Sequence, residues 1–299
     1  MAWREATDPD NPQNTAAGGA SDMVKHTVEL AWLDQLLDHP PWRDGLRLRE
    51  CHAGRGLYRL DDEPRRRRLR RLLASDLPLA RAQHEGLDAL RLAQDGSCYL
   101  GSSLLYARRL RRETAHRYHG YEWWPATREV LRGALAESCP DLAWEVPGEG
   151  RFDGETFIAE ELAGWGLTDV ISLDPFALWQ RPKLAMRRAR YRRLVTAYEG
   201  LGDQAPPMSW FFVWPSDVAA RRDRARGSVT DGYRDLWASL AHRRPIVVHW
   251  CWELSCAMWL LVPPSLRAAT KARVEGDLQA LLHTLGGEAI EERVQLTVD

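Results

Sequence analysis

Apolar and polar positions change period along this chain, and the changes mark its elements. From Ser21, "SDMVKHTVELAWLDQLL" sets apolar residues at helical spacing behind a serine and an aspartate, the pattern of a capped amphipathic helix. "LRLREC" (46–51) reads as a short strand, and "HAGRG" turns the chain after it. Residues 61–97 hold no strand-like stretch and predict two or three short helices. "GSSLLYARRLRR" (101–112) predicts a helix, "HRYHGYEWWP" (116–125) a strand ending near Glu122, and "ATREVLRGAL" another helix. "LTDVISLDP" (167–175) is almost continuously apolar, as in strands buried on both faces of a parallel sheet. A helix in "AMRRARYRRLVTAYEGL", strands in "MSWFFVWP" (208–215), "PIVVHWCWEL" and "AMWLLVPP", and a helix over 265–285 complete the series. Alternating strands and helices predict an open α/β sheet with crossover helices. The division that follows is a flexible N-terminus over 1–20, one α/β domain over 21–60 and 98–299, and a helical insertion over 61–97.

Composition narrows the class. The 299 residues are 44% hydrophobic and 28% charged, as in an ordinary globular protein. Lysine and arginine number 41 against 42 aspartates and glutamates, which argues against a whole-surface nucleic-acid binder. The arginine run at 65–71, broken by Leu69, is compatible with a phosphate backbone but fits a solvated helix face better. Five scattered cysteines (51, 98, 139, 251 and 256) form no CxxC pair, so reduced thiols in a cytoplasmic protein are expected, and no structural zinc or other metal. The first twenty residues lack the apolar core of an export signal, and the longest apolar run, "CAMWLLV" (256–262), is too short to span a bilayer. Fourteen tryptophans against five phenylalanines are unusual. Several, including Trp123, Trp179, Trp214 and Trp252, stand beside predicted strand ends; core packing accounts for such residues as well as a binding role does.

Ligands of open α/β sheets bind at the carboxyl ends of the strands. Those ends read His52-Ala53-Gly54-Arg55-Gly56, then Glu122, then Asp153 in "RFDGETF", then Asp174-Pro175. The glycines would let backbone approach a ligand closely. An acid after the second strand suits a pair of ribose hydroxyls, and one on the next strand can accept from an adenine amino group. The GxG element alone is weak, since glycine turns after strands are common; the ordered acids are the stronger signal. No GK[ST] follows, which disfavours a phosphate loop.

In this order, "SDMVKHTVEL", "HAGRGLYRL", the helical insertion, "YLGSSLLYARRL", "YEWWPATREVL", "FDG", "ISLDP" and "VWP" resemble the bacterial 23S rRNA adenine-N6-methyltransferase family, from about residue 21 to the end. The resemblance implies a Rossmann-like class I methyltransferase sheet that binds S-adenosylmethionine. Carried over by position, Lys25 and His26 face the methionine part, His52, Gly54 and Gly56 belong to the cofactor loop, and Ser102 is a further contact. Glu122 would hold the ribose, Asp153 the adenine, and Asp174 would stand at the reaction centre. The family follows this aspartate with two prolines and an aromatic residue that stacks on the target base; here the order is Asp174-Pro175-Phe176-Ala177. The family's histidine- and tyrosine-containing segment before its first helix is replaced by "NPQNTAAGG". The cofactor half of the pattern is thus kept and the base-reading half lost.

Three enzymatic readings stand beside that of a non-catalytic relative. One is methylation of a small-molecule amine, another is methylation of rRNA through an altered base pocket. The leading one resembles the bacterial azetidine-2-carboxylate synthases, in which the α-amine of S-adenosylmethionine displaces methylthioadenosine from its own γ-carbon. That chemistry needs a neutral amine and exclusion of water. Aromatic faces can hold the migrating positive charge, and Phe176, Trp123 and Trp214 are the candidates, with Asp174 holding the amine and Lys25 and His26 the carboxylate. The implied partners are a small-molecule substrate and a downstream nonribosomal peptide synthetase pathway, with neither nucleic acid nor membrane.

Overall fold

The computed structural model describes residues 17–111, 115–149, 153–174, 184–214, 238–251, 255–286 and 294–298. In chain order the elements that matter are α1 (Ala20–Leu37), β1 (Arg47–Cys51), β2 (Leu57–Arg59), α2 (Glu63–Leu73), α3 (Pro78–Ala89), β3 (Cys98–Leu100), α4 (Ser102–Leu110), β4 (Arg117–Tyr121), α5 (Pro125–Ser138), β5 (Ala143–Glu145), α6 (Gly154–Glu161), β6 (Asp169–Leu173), α7 (Leu184–Gly200), β7 (Met208–Trp214), β8 (Ile246–Cys251), β9 (Ser255–Leu261), α8 (Arg267–Leu285) and β10 (Val294–Val298). Eight strands form one sheet in the order β10-β8-β9-β7-β6-β1-β4-β5. Strands β5, β4, β1, β6 and β7 run parallel, while β9 inserts antiparallel between β7 and β8. This is the expected open α/β sheet of Rossmann-like topology with crossover helices. From β1 the chain builds outward through β4 and β5, then returns to place β6 on the other side, so the topological switch lies between β1 and β6.

Two apolar layers cover the sheet. Helices α1 to α5 and α8 pack with Leu48, Val170, Phe211 and Leu260 on one face. Helices α6 and α7 pack with Ile171, Leu173, Trp210 and Trp259 on the other. The alternation along each strand sends successive side chains into opposite layers. Helix α1 differs from the amphipathic expectation: every residue from Met23 to Leu36 is buried, because α8, α3 and α4 pack around the sides the sheet does not cover. It begins one residue before Ser21, with Gly19 at the cap position and the Asp22 carboxylate accepting from the Gly19 N–H at 3.3 Å.

Residues 61–97 form two helices, as expected, and the flanking β2 and β3 pair antiparallel beneath them. Short strands β2, β3 and β5 and the terminal β10 have no clear counterpart in the sequence pattern. The arginine run serves its own surroundings: Asp62 caps α2 through the Arg65 N–H, Arg66 reaches the Leu60 carbonyl, Arg70 pairs with Glu63, and Arg71 reaches the carbonyl of Leu285 at the end of α8.

One row of the sheet departs from the apolar rule. Register aligns Gly120 of β4, Glu50 of β1, Ser172 of β6 and Ser209 of β7 side by side. Glu50, Ser172 and Ser209 are 0% exposed, in the layer under α1 and α4. The Tyr118 hydroxyl donates to Glu50 Oε2 at 2.6 Å and passes so close to Gly120 that a Cβ there would lie 2.8 Å from it. The row turns apolar at Leu260 and Ile246.

Gly56 has φ +71°, and a Cβ there would lie 2.9 Å from Leu104 and 3.1 Å from Leu131. Gly56→Ala is expected to cost about 2–4 kcal/mol from combined backbone strain and overpacking. Gly276, within α8, has nothing within 4 Å of such a Cβ, so Gly276→Ala is expected to add about 0.5–1 kcal/mol. Denaturant midpoints of the two variants check both values.

Candidate active site

The carboxyl ends of β1, β4 and β6 meet around the turn that follows β1. His52, Gly54 and Gly56 all adopt left-handed φ (67°, 63° and 71°), which coils the turn tightly. His52 pays steric strain for this. The conformation carries its ring toward α6, where Nε2 meets Glu155 Oε1 at 2.9 Å. Burial opposes the imidazolium, but the Cys51 sulfur at 3.9 Å and the Glu155 carboxylate outweigh it, and the His52 pKa is raised well above the ordinary histidine value. Burial pushes the Cys51 thiol up to about 11, so it is a neutral thiol at neutral pH.

Glu122 follows β4 directly, as expected. Its two oxygens accept from the backbone N–H groups of Gly54 (2.9 Å) and Trp124 (3.0 Å), so the carboxylate ties the turn to the start of α5. Arg128 adds a bond to the Glu122 carbonyl at 2.7 Å. Trp123 is half-buried beside it. Asp153 departs from expectation: it ends no strand but caps α6, accepting from the Thr156 N–H at 3.2 Å, while Arg190 of α7 binds its other oxygen at 2.8 Å. The three-residue β5 stops at Glu145, too early for Asp153 to belong to it.

Asp174 continues β6 by one residue, and its N–H lies 3.3 Å from the Cys51 carbonyl across the switch point. Lys25 Nζ lies 2.5 Å from Asp174 Oδ2, 4.0 Å from Asp22 Oδ1 and over the Phe211 ring at 5.3 Å. Burial alone would lower the lysine pKa, but Asp174, Glu29 and Asp22 hold it well above the ordinary value. Lys25 is therefore an ammonium ion fixed on Asp174. His26 turns away: Nδ1 meets the Tyr99 hydroxyl at 2.6 Å, and Nε2 is buried without a hydrogen-bond partner. Burial, reinforced by Lys25, lowers its pKa well below the usual value, so the ring is neutral. Ser102 is buried with its hydroxyl on Glu50. The Cβ position of Gly56 faces Leu104 of α4 and Leu131 of α5. Phe176 and Ala177 lie outside the described residues, as does the side chain of Trp214.

The turn and the end of β6 therefore bring together Lys25, His26, His52, Gly54, Ser102, Glu122 and Asp174, with Asp153 beside them at the start of α6, where the next residue, Gly154, lies against Cys51 and Tyr121. The buried atoms His26 Nε2 and His52 Nδ1, which have no hydrogen-bond partner, can donate to the carboxylate end of an amino-acid-bearing ligand such as S-adenosylmethionine. Glu29, Glu50, Tyr99, Glu155 and Arg190 were not singled out by the sequence. Only Glu50 left a trace: alternation in "LRLREC" sets it on the face of Leu46 and Leu48.

No family model matches the chain, and no curated protein matches it in sequence. Among solved structures it is similar to protein LPL1258 from Legionella pneumophila, assigned to DUF519: 16% identity over 95% of this chain and 97% of that one, TM-score 0.67. Looser likenesses are to a probable spermidine synthase from Corynebacterium glutamicum (11% identity, 95% and 77% covered, TM-score 0.46) and a human methyltransferase 10 domain containing protein (8%, 82% and 84%, TM-score 0.43). The likeness to LPL1258 shows a shared fold.

Glu50 supplies a stability test. Burial raises its pKa from 4.5 to about 7 against the opposing bonds from Ser102 and Tyr118. Between those values the unfolded chain holds fewer protons than the folded one, so stability falls as pH rises, by about 3 kcal/mol in all. Glu50→Gln removes that loss: its stability relative to wild type should improve from pH 4.5 to pH 8, measured by denaturation at both.

Proposed function

We propose that this protein is an S-adenosylmethionine-using enzyme working at an amine nitrogen. The observation that carries the reading is Asp174 at the carboxyl end of β6, held by the buried Lys25 ammonium beside the left-handed turn 52–56. When bound, S-adenosylmethionine supplies an electrophilic carbon next to a sulfonium. Asp174 accepts a hydrogen bond from the amine and holds it in line, an orientation effect able to supply much of the rate acceleration. Lys25 holds that carboxylate in place. His26, neutral, offers Nε2–H to a carboxylate when Tyr99 donates to Nδ1. Glu122 and the turn take the ribose, and Asp153, oriented by Arg190, takes the adenine.

The acceptor distinguishes two outcomes. Methyl transfer to a separate small-molecule amine, or to an rRNA adenine, asks only for the geometry above. A second outcome, cyclisation to azetidine-2-carboxylate with release of methylthioadenosine, is favoured by Phe176 and Ala177, which replace the acceptor-reading residues after Asp174 with apolar ones. Trp123, and Trp214 at the end of β7, would then flank the sulfonium. A product feeding a nonribosomal peptide synthetase pathway belongs to this second outcome.

Incubating the protein with S-adenosylmethionine alone, followed by mass spectrometry, separates the two. Methylthioadenosine with a four-carbon cyclic amino acid is expected for cyclisation. Intact S-adenosylmethionine that is consumed only when an amine is added, yielding S-adenosylhomocysteine, marks the methyltransferase. Absence of binding removes both readings. In either case Asp174→Asn should lower kcat by about 100-fold or more while S-adenosylhomocysteine affinity, read by calorimetry, changes little. Glu122→Ala should act the other way, losing affinity because the turn loses its tether.

A further inference from the structure

Whichever acceptor is used, the reaction proposed above releases a proton. A nitrogen–carbon bond forms, the carbon–sulfur bond breaks with its electron pair going to sulfur, and the nitrogen sheds one H⁺. Solvent is poorly placed to take it. Lys25 is 5% exposed, and a ligand seated on the turn would cover what remains of Asp174. The groups that lie inward of Asp174 are unusual for a buried sheet face. Two residues back along each strand, about 7 Å deeper, runs the row of Glu50, Ser172 and Ser209. Over it, one helical turn beyond Lys25, α1 presents Glu29, which is 1% exposed.

These groups are incompletely satisfied. Glu29 Oε2, Glu50 Oε1, Ser209 Oγ and Ser103 Oγ are buried without a hydrogen-bond partner. Tyr118 holds the other oxygen of Glu50, while Tyr106 lies against Glu29 and meets Ser172 Oγ at 3.2 Å. Each unmatched buried polar atom costs on the order of 1–3 kcal/mol, and apolar side chains would fill the same row more stably. A carboxyl group with one free oxygen is what a proton acceptor requires.

We propose that Glu29 and Glu50 form a buried proton-accepting pair that takes up, through the Lys25–Asp174 contact, the proton shed by the reacting nitrogen. The inference rests on the amine-directed reading. Asp174 Oδ receives the proton from nitrogen. Lys25 then takes it from Asp174 and, by turning its side chain along α1, gives one of its own to Glu29, which lies one helical turn away within its field, and so remains an ammonium ion; Glu50 stands in the field of Glu29. Lys25 and Asp22 from α1, Asp174 beyond β6, Tyr106 from α4 and Tyr118 from β4 complete the titratable groups that face the pair. Burial raises the Glu29 carboxyl well above its usual range and Glu50 to about 7, so the pair holds protons at rest; the cationic ligand ionises it on binding, and the proton shed by the reaction refills it.

The test has one readout that needs no turnover. S-adenosylhomocysteine is titrated calorimetrically into wild type, Glu29→Gln and Glu50→Gln at pH 7, in buffers of different ionisation enthalpy, to count protons exchanged on binding. Wild type should release a measurable fraction of a proton as the ligand ammonium ionises the pair, and each amide variant should bind within about threefold yet release less. Single-turnover rates with S-adenosylmethionine and the acceptor found above should then fall about tenfold or more in each variant, with the inflection near pH 7 lost. Binding without proton release in wild type, or variants that keep both the proton count and the pH profile, would overturn the pair while leaving the S-adenosylmethionine reading intact. No binding by wild type overturns both.

Discussion

A buried lysine ammonium fixed on one carboxylate, with two more carboxyl groups in its field, sets the terms for the rest of this structure. Taking the charge of Lys25 out of water costs several kcal/mol, repaid only by close, well-aligned partners. Asp174 meets it at 2.5 Å, with Asp22 and Glu29 adding to the field. Because Lys25 sits on α1 and Asp174 ends β6, the pair pins the first helix over the switch point of the sheet. Losing either partner would strand a charge in a largely apolar surround, so helix and strand end hold one relative position. A site that requires an exact placement of one carboxylate benefits from that rigidity.

The same pair explains why polar groups penetrate the face beneath it. Glu50, Ser172 and Ser209 occupy one row of four strands, and the row fits only because Gly120 leaves room for the Tyr118 hydroxyl. Beyond β7 the sheet returns to Leu260 and Ile246. In this row polarity is thus confined to β1, β6 and β7, the first two ending at His52 and Asp174, and its cost is offset by the apolar packing of β8 and β9.

Much of the fold was legible because periodicity reports burial directly. The apolar run in 167–175 and the helical spacing in 265–285 needed no tertiary knowledge, and both elements form within a few residues of the expected places. The site was legible only where chemistry coincides with a strand end: His52, Glu122 and Asp174 do, and the ordered motifs placed Lys25 beside them. Asp153 was misplaced because β5 is only three residues long and its sequence, "AWE", carries no alternation worth reading. Glu29 was invisible for a different reason. A lysine and a glutamate four apart on a helix ordinarily face solvent, and only the packing of α8 across the outer side of α1 turns that spacing into a buried charge cluster.

His52 shows how one strained residue divides the labour between the two faces. In ordinary strand geometry a residue two beyond Glu50 would point to the α1 side. Its left-handed backbone sends it to the α6 side, where Glu155 Oε1 also accepts from the Tyr191 hydroxyl at 2.7 Å and Arg190 binds Asp153. Arg190 and Tyr191 belong to α7, the helix that resumes the chain after Asp174 and Phe176. The α6 face therefore mechanically links the turn after β1, the proposed adenine acceptor Asp153 and the helix that follows the reacting segment. The α1 face is left with Lys25, Asp174 and the buried acids. Keeping the second cation, His52, out of that pocket preserves the condition the proposed proton transfer depends on: one ammonium ion among several carboxyl groups, so that a proton arriving at Asp174 finds an acceptor rather than a competing charge.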